Sequence, residues 1–250
     1  GFGARDDLGP DNRGGSSWSI PYRQRKRRFG HRVHNRGMCG RFVLFTTGEA
    51  LIDAATRIVG RQVEAPQGTP GPRYNVAPTQ IVPIVRLGDT AQLDPARWGL
   101  LPEWKKDDSG PPLFNARAET VAEKPSFRHA FKGQRCVIPM DGYYEWHEKK
   151  PHFVSLGDGL MWAAGLWATG LDQLSATMVT TDSVEPVAWL HNRLPRFLTE
   201  DEITPWLTGT PDEARELLHP TSTDWVERLS VREVSRDVGN VRNDHAGLLD

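Results

Sequence analysis

Apolar and polar positions alternate along most of this chain with the two-residue period of half-buried strands, and only a few stretches show the longer period of helices. Residues 39–45 alternate small or polar with apolar side chains and predict a strand. Thr47 then stands as an N-cap before a helix that runs to about Ile58. The Pro- and Gly-rich stretch from Pro66 to Arg73 reads as a loop delivering Tyr74 to Gln80. Strands follow at 81–87 and 93–100, and Pro83, with no N–H to give a ladder, marks the first as an edge or a bulge. A polar loop over 101–113 carries Trp104. If Asn115 to Glu119 is extended, Asn115, Arg117 and Glu119 share one polar side. A short helix near Ser126 to Phe131 precedes a strand from Arg135 to Pro139, in which Cys136 reads as a small buried hydrophobe. An Asp141-Gly142 turn leads into Tyr143-Tyr144-Glu145-Trp146. Short strands at 152–155, 161–167 and 176–181 are separated by Gly and Asp turn signals, and two helices are predicted at 200–207 and 211–218. This spacing fits an antiparallel sheet system in an α+β chain, not a series of βαβ units.

Residues 1–37 stand outside that pattern. They hold nine basic and three acidic side chains, among them the run Arg23 to Arg28, with no apolar period around it. They read as a disordered basic arm, a propeptide or a region translated from an upstream start, and residues 38–250 as one domain. His31 and His34 in the arm have too few neighbours to bind a metal. Beyond the arm 22 basic and 29 acidic residues remain, so the body is no general polyanion binder; nucleic acid would need a local basic groove. With 38% hydrophobic residues in 250, the chain can bury one sizeable core. No apolar run is long enough for a membrane span or a signal peptide, which gives a cytoplasmic expectation. Two cysteines, Cys39 and Cys136, are too few for a disulfide framework or a thiolate zinc site.

Met38-Cys39-Gly40-Arg41-Phe42 carries the most suggestive chemistry. With Met38 as initiator and removed, Cys39 presents an α-amine and a thiol on adjacent carbons. An α-amine titrates near ~7.7–8.0, so much of it is nucleophilic at neutral pH and can attack an aldehyde. The thiolate can then close on the imine to a five-membered thiazolidine. Such capture needs one proton removed from the attacking ammonium and another delivered to the departing hydroxyl, which suits a carboxylate and an imidazole together. Glu145 sits among Tyr143, Tyr144 and Trp146, where partial burial favours its protonated form.

Seven motifs occur in fixed order: Met38-Cys39-Gly40-Arg41-Phe42, Arg73-Tyr74-Asn75-Val76-Ala77-Pro78, Trp98-Gly99-Leu100, Asn115-Ala116-Arg117-Ala118-Glu119-Thr120, Gly142-Tyr143-Tyr144-Glu145-Trp146, Leu190-His191-Asn192-Arg193-Leu194-Pro195 and Val238-Gly239-Asn240-Val241. Together they closely resemble the SOS-response-associated peptidase (SRAP) family of abasic-site processing proteins. The resemblance implies a single domain with a mainly antiparallel, barrel-like β core and short peripheral helices. It implies a protein, expected to act as a monomer without metal or cofactor, that recognises an abasic site in single-stranded DNA and crosslinks itself to the ring-opened sugar. By the same resemblance Cys39 is the nucleophile, Asn115 holds its backbone, Glu145 moves protons and His191 assists as acid or base. Arg41, Asn75 and Arg117 would contact phosphate or sugar, with Trp104 and Trp98 stacking on flanking bases. Asn192 stands where the family pattern has Asp. Cysteine-type peptidase or autopeptidase action and noncovalent single-stranded DNA binding are the alternative readings; an internal Cys39 has no α-amine and cannot form the thiazolidine.

Overall fold

The computed structural model describes Trp18 and residues 40–157 and 159–250. Cys39, His31, His34 and nearly all of the basic arm lie outside the described residues. In chain order the elements are Phe42–Leu44 (β1), Gly48–Val59 (α1), Val63–Glu64 (β2), Arg73–Val76 (β3), Ile81–Leu87 (β4), Ala91–Trp98 (β5), Asn115–Arg117 (β6) and Arg128–Gly133 (α2). Next come Arg135–Met140 (β7), Gly142–His147 (β8), Lys150–Ser155 (β9), Met161–Gly170 (β10), Gln173–Asp182 (β11), Arg193–Pro195 (β12), Glu200–Thr208 (α3), Pro211–Glu216 (α4), Thr223–Val226 (α5) and Ser230–Glu233 (β13).

Strands β4, β5, β11, β10 and β7 close on themselves: β10 pairs antiparallel with β7 and β11, β4 with β7 and β5, and β5 completes the ring by a parallel pairing with β11. A closed barrel leaves these strands no free edge. Past Trp98 the chain leaves the barrel and returns as β6, which takes over beside β11 in parallel register, Met178 opposite Asn115 and Thr180 opposite Arg117. A second sheet runs in the order β13-β9-β8-β1-β3. The α+β class and the mainly antiparallel barrel are therefore as expected.

Period-two alternation explains how the second sheet is buried on both faces. Phe42, Leu44 and Tyr143 enter the main core, where Phe42 meets Trp98 edge-on at 5.1 Å between centroids. Val43 and Tyr144 face the other way, into a smaller cluster with Phe153, Val234 and Val238. Gly142 lies where β8 passes Phe153. A Cβ there would overlap the Phe153 ring and sit 2.7 Å from the Val154 carbonyl oxygen, so the close approach requires glycine.

One local expectation is corrected, and a second holds for the backbone alone. Strand β4 is internal, not an edge, because Pro83 faces Pro95 across β5 and the registered pairing to β7 falls beyond it, at Val85. Thr47 has the extended backbone of an N-cap but its side chain makes no capping bond; the N–H of Gly48 donates to Thr69 Oγ1 at 3.0 Å instead. The β8–β9 turn is a two-residue hairpin, Glu148-Lys149, both with positive φ (49° and 66°), where sequence signals favour Asn-Gly. Cys136 is fully buried as expected, and burial pushes its thiol pKa up. Trp18 rests in a groove with Phe42, Leu44, Pro72 and Val76, and its Nε1 finds no hydrogen-bond partner among the described residues. No described helix is long and apolar enough to cross a membrane.

Candidate functional site

Strand β1 pairs with β8 through Phe42 opposite Tyr143 and Val43 opposite Gly142, and the Tyr144 N–H donates to the Arg41 carbonyl at 2.9 Å. Continued two residues past Phe42 and Tyr143, this register would set Gly40, which is buried, against Glu145. Glu145 is itself buried, with Oε1 accepting from the Trp146 N–H at 3.1 Å. By alternation Glu145 lies on the same face of β8 as Tyr143 and His147. Directly across on β9 is His152, buried, whose Nδ1 lies 3.0 Å from the Lys150 carbonyl oxygen and so carries the proton.

His191 lies next to the last residue of the loop between β11 and β12. Its Nδ1 accepts from the backbone N–H of Arg193 at 3.0 Å, so a neutral ring carries its proton on Nε2. Arg193 is buried and held through both terminal nitrogens: Nη1 donates to Glu119 Oε1 (2.7 Å) and Asp182 Oδ1 (2.6 Å), Nη2 to Glu119 Oε2 (2.9 Å) and Thr180 O (2.8 Å) with Thr180 Oγ1 at 3.3 Å, while the buried Nε has no hydrogen-bond partner among the described residues. The bond from Arg193 lowers the Glu119 pKa. Burial pulls the Arg193 pKa down, but the bonds to Glu119 and Asp182 outweigh it, and the net shift is upward. Sequence reasoning quoted Arg193 within a motif without giving it a role; the polar side shared by Asn115, Arg117 and Glu119 was the available signal. That side is real, since Ala116 and Ala118 are buried between them. Asn115 is half-buried at the head of β6. Arg117 is exposed, its Nε 3.7 Å from Glu119 Oε2. Asn192 is exposed and contributes its carbonyl, which accepts from the Ser183 N–H at 3.0 Å.

Arg41 and Asn75 are engaged elsewhere than sequence reasoning expected. Arg41 Nη1 donates to Val238 O at 2.7 Å and to Asn75 Oδ1 at 3.2 Å, Nη2 reaches Gly239 O at 3.4 Å, and the guanidinium lies 5.9 Å from the Trp146 ring centroid. Its burial lowers its pKa. Asn75 is 0% exposed, and Nδ2 donates to the carbonyls of Val238 (3.1 Å), Asn240 (3.2 Å) and Asn243 (2.8 Å). This side chain has no surface for phosphate; it clamps the C-terminal segment. Trp98 is likewise 0% exposed, with Nε1 donating to Phe114 O at 2.9 Å, so no face is open to a base. Trp104, 63% exposed, stands over a groove of about 800 Å³ lined also by Pro102, Arg128, His129 and Gln134. Neither Asn115, Glu145 nor His191 lines that groove. Among the described residues no group of three or more His, Cys, Asp or Glu is arranged to hold a metal ion.

The chain matches the family profile described as SOS response associated peptidase (SRAP) over residues 38–241. It is 37% identical over 229 residues to the abasic site processing protein YoaM of Bacillus subtilis (strain 168), covering 85% of this chain and 98% of that one. It is 30% identical over 224 residues to the abasic site processing protein YedK of Escherichia coli (strain K12), covering 85% and 99%. A crystal structure of a protein from Bacteroides thetaiotaomicron superposes with a TM-score of 0.69 at 26% identity, covering 84% of this chain and 98% of that one.

Proposed function

The chain belongs to the SOS response associated peptidase family, and from that premise we propose that it captures abasic sites in single-stranded DNA as a covalent thiazolidine at Cys39, once Cys39 is the first residue. Relatives named for abasic site processing support the coarse activity, processing of abasic DNA.

The single observation that carries the finer reading is the β1–β8 register. Extended two residues past its last pair, Phe42 with Tyr143, it would set Gly40 against the buried Glu145, and Cys39 is the residue covalently before Gly40. A carboxylate there would be in reach of an α-amine on that preceding residue. In the proposed sequence Glu145 takes a proton from the ammonium, and the amine adds to the sugar aldehyde. The carbinolamine hydroxyl then leaves as water with a proton returned by Glu145 or by His191 Nε2. The Cys39 sulfur adds to the imine carbon as thiolate, its proton passing to the nitrogen, and the ring closes with net loss of one water. Asn115 would fix the backbone next to Cys39. The exposed Arg117 guanidinium is suited to bind a phosphate beside the lesion.

The experiment is a denaturing gel of single-stranded DNA bearing one abasic site after incubation with protein that begins at Cys39. A heat-stable shifted band, lost in Cys39→Ser, is the expected result. An equally strong band from protein that retains residues upstream of Cys39 overturns the aminothiol chemistry. A complex that denaturant dissolves, equal on undamaged DNA, overturns covalent capture in favour of noncovalent binding.

A further inference from the structure

Trp189 is 49% exposed, and with Trp104 it is one of the two tryptophans open to solvent to this degree among the described residues. Its exposure is not that of a loose tip. The loop that carries it is closed at its base by the Ser183 N–H to Asn192 O bond at 3.0 Å. It is turned by the bonds Val187 N–H to Val184 O (3.1 Å) and Leu190 N–H to Val187 O (3.0 Å), and pinned by Val187 and Leu190, each 3% exposed. Between those two anchors the Trp189 ring is pointed outward. There it meets His147 at 5.3 Å and 78°, and His152 at 5.5 Å and 85°, both edge-to-face. Two perpendicular imidazoles hold the indole plane while about half of the side chain stays open.

Both contacts place the ring on the row that carries Glu145. His152 is the direct cross-strand partner of Glu145, His147 is two residues along on the same face, and His191 follows Trp189 by two residues. From β1 to β9 is two strand spacings, ~10 Å in all. That spans about three stacked nucleotides at ~3.4 Å each. An isolated, held aromatic face is far smaller than the ~800 Å² per partner of a stable protein interface. It matches one unpaired base, any of which has a π-face to stack.

On the reading that this chain captures abasic sites, we propose that Trp189 is the stacking platform for an unpaired nucleobase within three nucleotides of the lesion. The platform would hold the strand so that the sugar without a base falls beside Glu145 and His191. Sequence-independent affinity follows, because a stacked ring reads no hydrogen-bond edge.

The test uses the 250-residue chain and undamaged single-stranded oligonucleotides, so no crosslink can form, with affinity read by fluorescence anisotropy. Trp189→Ala is expected to weaken binding about tenfold, one base–aromatic stack, while Trp189→Phe keeps most of the affinity. A scan in which one tetrahydrofuran, a lesion mimic with no aldehyde, fixes the register and a second replaces each neighbouring base in turn supplies the control against a merely structural effect. One position is expected to weaken wild-type binding about tenfold and leave Trp189→Ala unchanged. Affinity of Trp189→Ala within twofold of wild type, or an identical spacer profile in both proteins, overturns the proposal. A parallel gel with abasic DNA and protein that begins at Cys39 keeps the two readings apart. If wild type crosslinks and the anisotropy results fail, only the platform falls. If wild type does not crosslink, covalent capture falls whatever Trp189 does.

Discussion

Replacing Asn75 by Ala separates a DNA contact from a structural clamp. The Asn75 amide donates to three carbonyls, of Val238, Asn240 and Asn243, and its oxygen accepts from Arg41. Two N–H groups shared among three acceptors count as two bonds, and the Arg41 bond makes three. At ~1 kcal/mol net each, the loss is bounded near ~3 kcal/mol. Two facts lower it. Val238 O keeps its bond from Arg41, and Asn240 and Asn243 lie where water can replace the amide. We expect a loss of about 2–3 kcal/mol, which for a domain of this size lowers Tm by roughly 4–12 °C. The loss should be local first, so hydrogen exchange should accelerate at the amides of Asn240 and Asn243, which donate within the clamped segment. Asn75→Asp should be at least as harmful despite the added attraction to Arg41, because a carboxylate would face three carbonyl oxygens. DNA affinity should keep its salt slope, since no phosphate contact is removed. Calorimetry showing Asn75→Ala within ~1 °C of wild type, or a salt slope reduced by about one, refutes the clamp.

Gly142→Ala should lower Tm through overlap with Phe153 and the Val154 carbonyl, by ~1–3 kcal/mol as for other overpacked sites, with Gly133→Ala, whose Cβ meets nothing, as the control. Glu145→Gln keeps the acceptor for the Trp146 N–H but not the titrating oxygen, so a gel time course should show crosslinking slowed ~10²- to 10⁴-fold with the melting curve preserved. Burial raises the Glu202 pKa, but the bidentate bonds from Arg196 (2.7 and 3.1 Å) and that from the Thr199 N–H (3.0 Å) outweigh it, so its folded pKa is lowered. The stability this gives is present above the unfolded carboxyl value near ~4.3 and lost as pH falls through the lower folded value. Urea titrations should therefore show a shallower fall in stability below about pH 4 in Glu202→Gln than in wild type.

The strands were legible where alternation is long enough to count. β5, β7, β10 and β11 lie within a few residues of their expected places, as does α1. What alternation does not encode is closure. β5 meets β11 through Arg97 opposite Ser175 and β6 meets it through Asn115 opposite Met178, pairings between distant segments that no local period records. Strands of two to four residues, such as β2, β12 and β13, were missed because they are too short to show a period. Pro83 was misread because its effect depends on which strand it faces; opposite Pro95, a missing donor meets a missing donor.

The candidate site divides along the same line. Residue type and order pointed to Glu145 and His191, and alternation gave the polar side of β6. Partners were not legible, and partners decide roles. Arg41 and Asn75 look like phosphate ligands until Val238, Asn240 and Asn243, more than 160 residues away, are seen to occupy them. Val238-Gly239-Asn240-Val241 recurs with them in the ordered set for a physical reason: it supplies the carbonyls those two side chains need. Arg193 and Glu119 are a second such pair, each in a different motif, and their bonds fix the strand end whose backbone holds His191 Nδ1. Most of the ordered motifs are thus halves of internal contacts that position a few reacting groups. Trp189 shows the converse. It takes no part in those hydrogen-bonded pairs, its neighbours Val187 and Leu190 do the packing, and its half-exposed ring is the surface that the proposed base stack would cover.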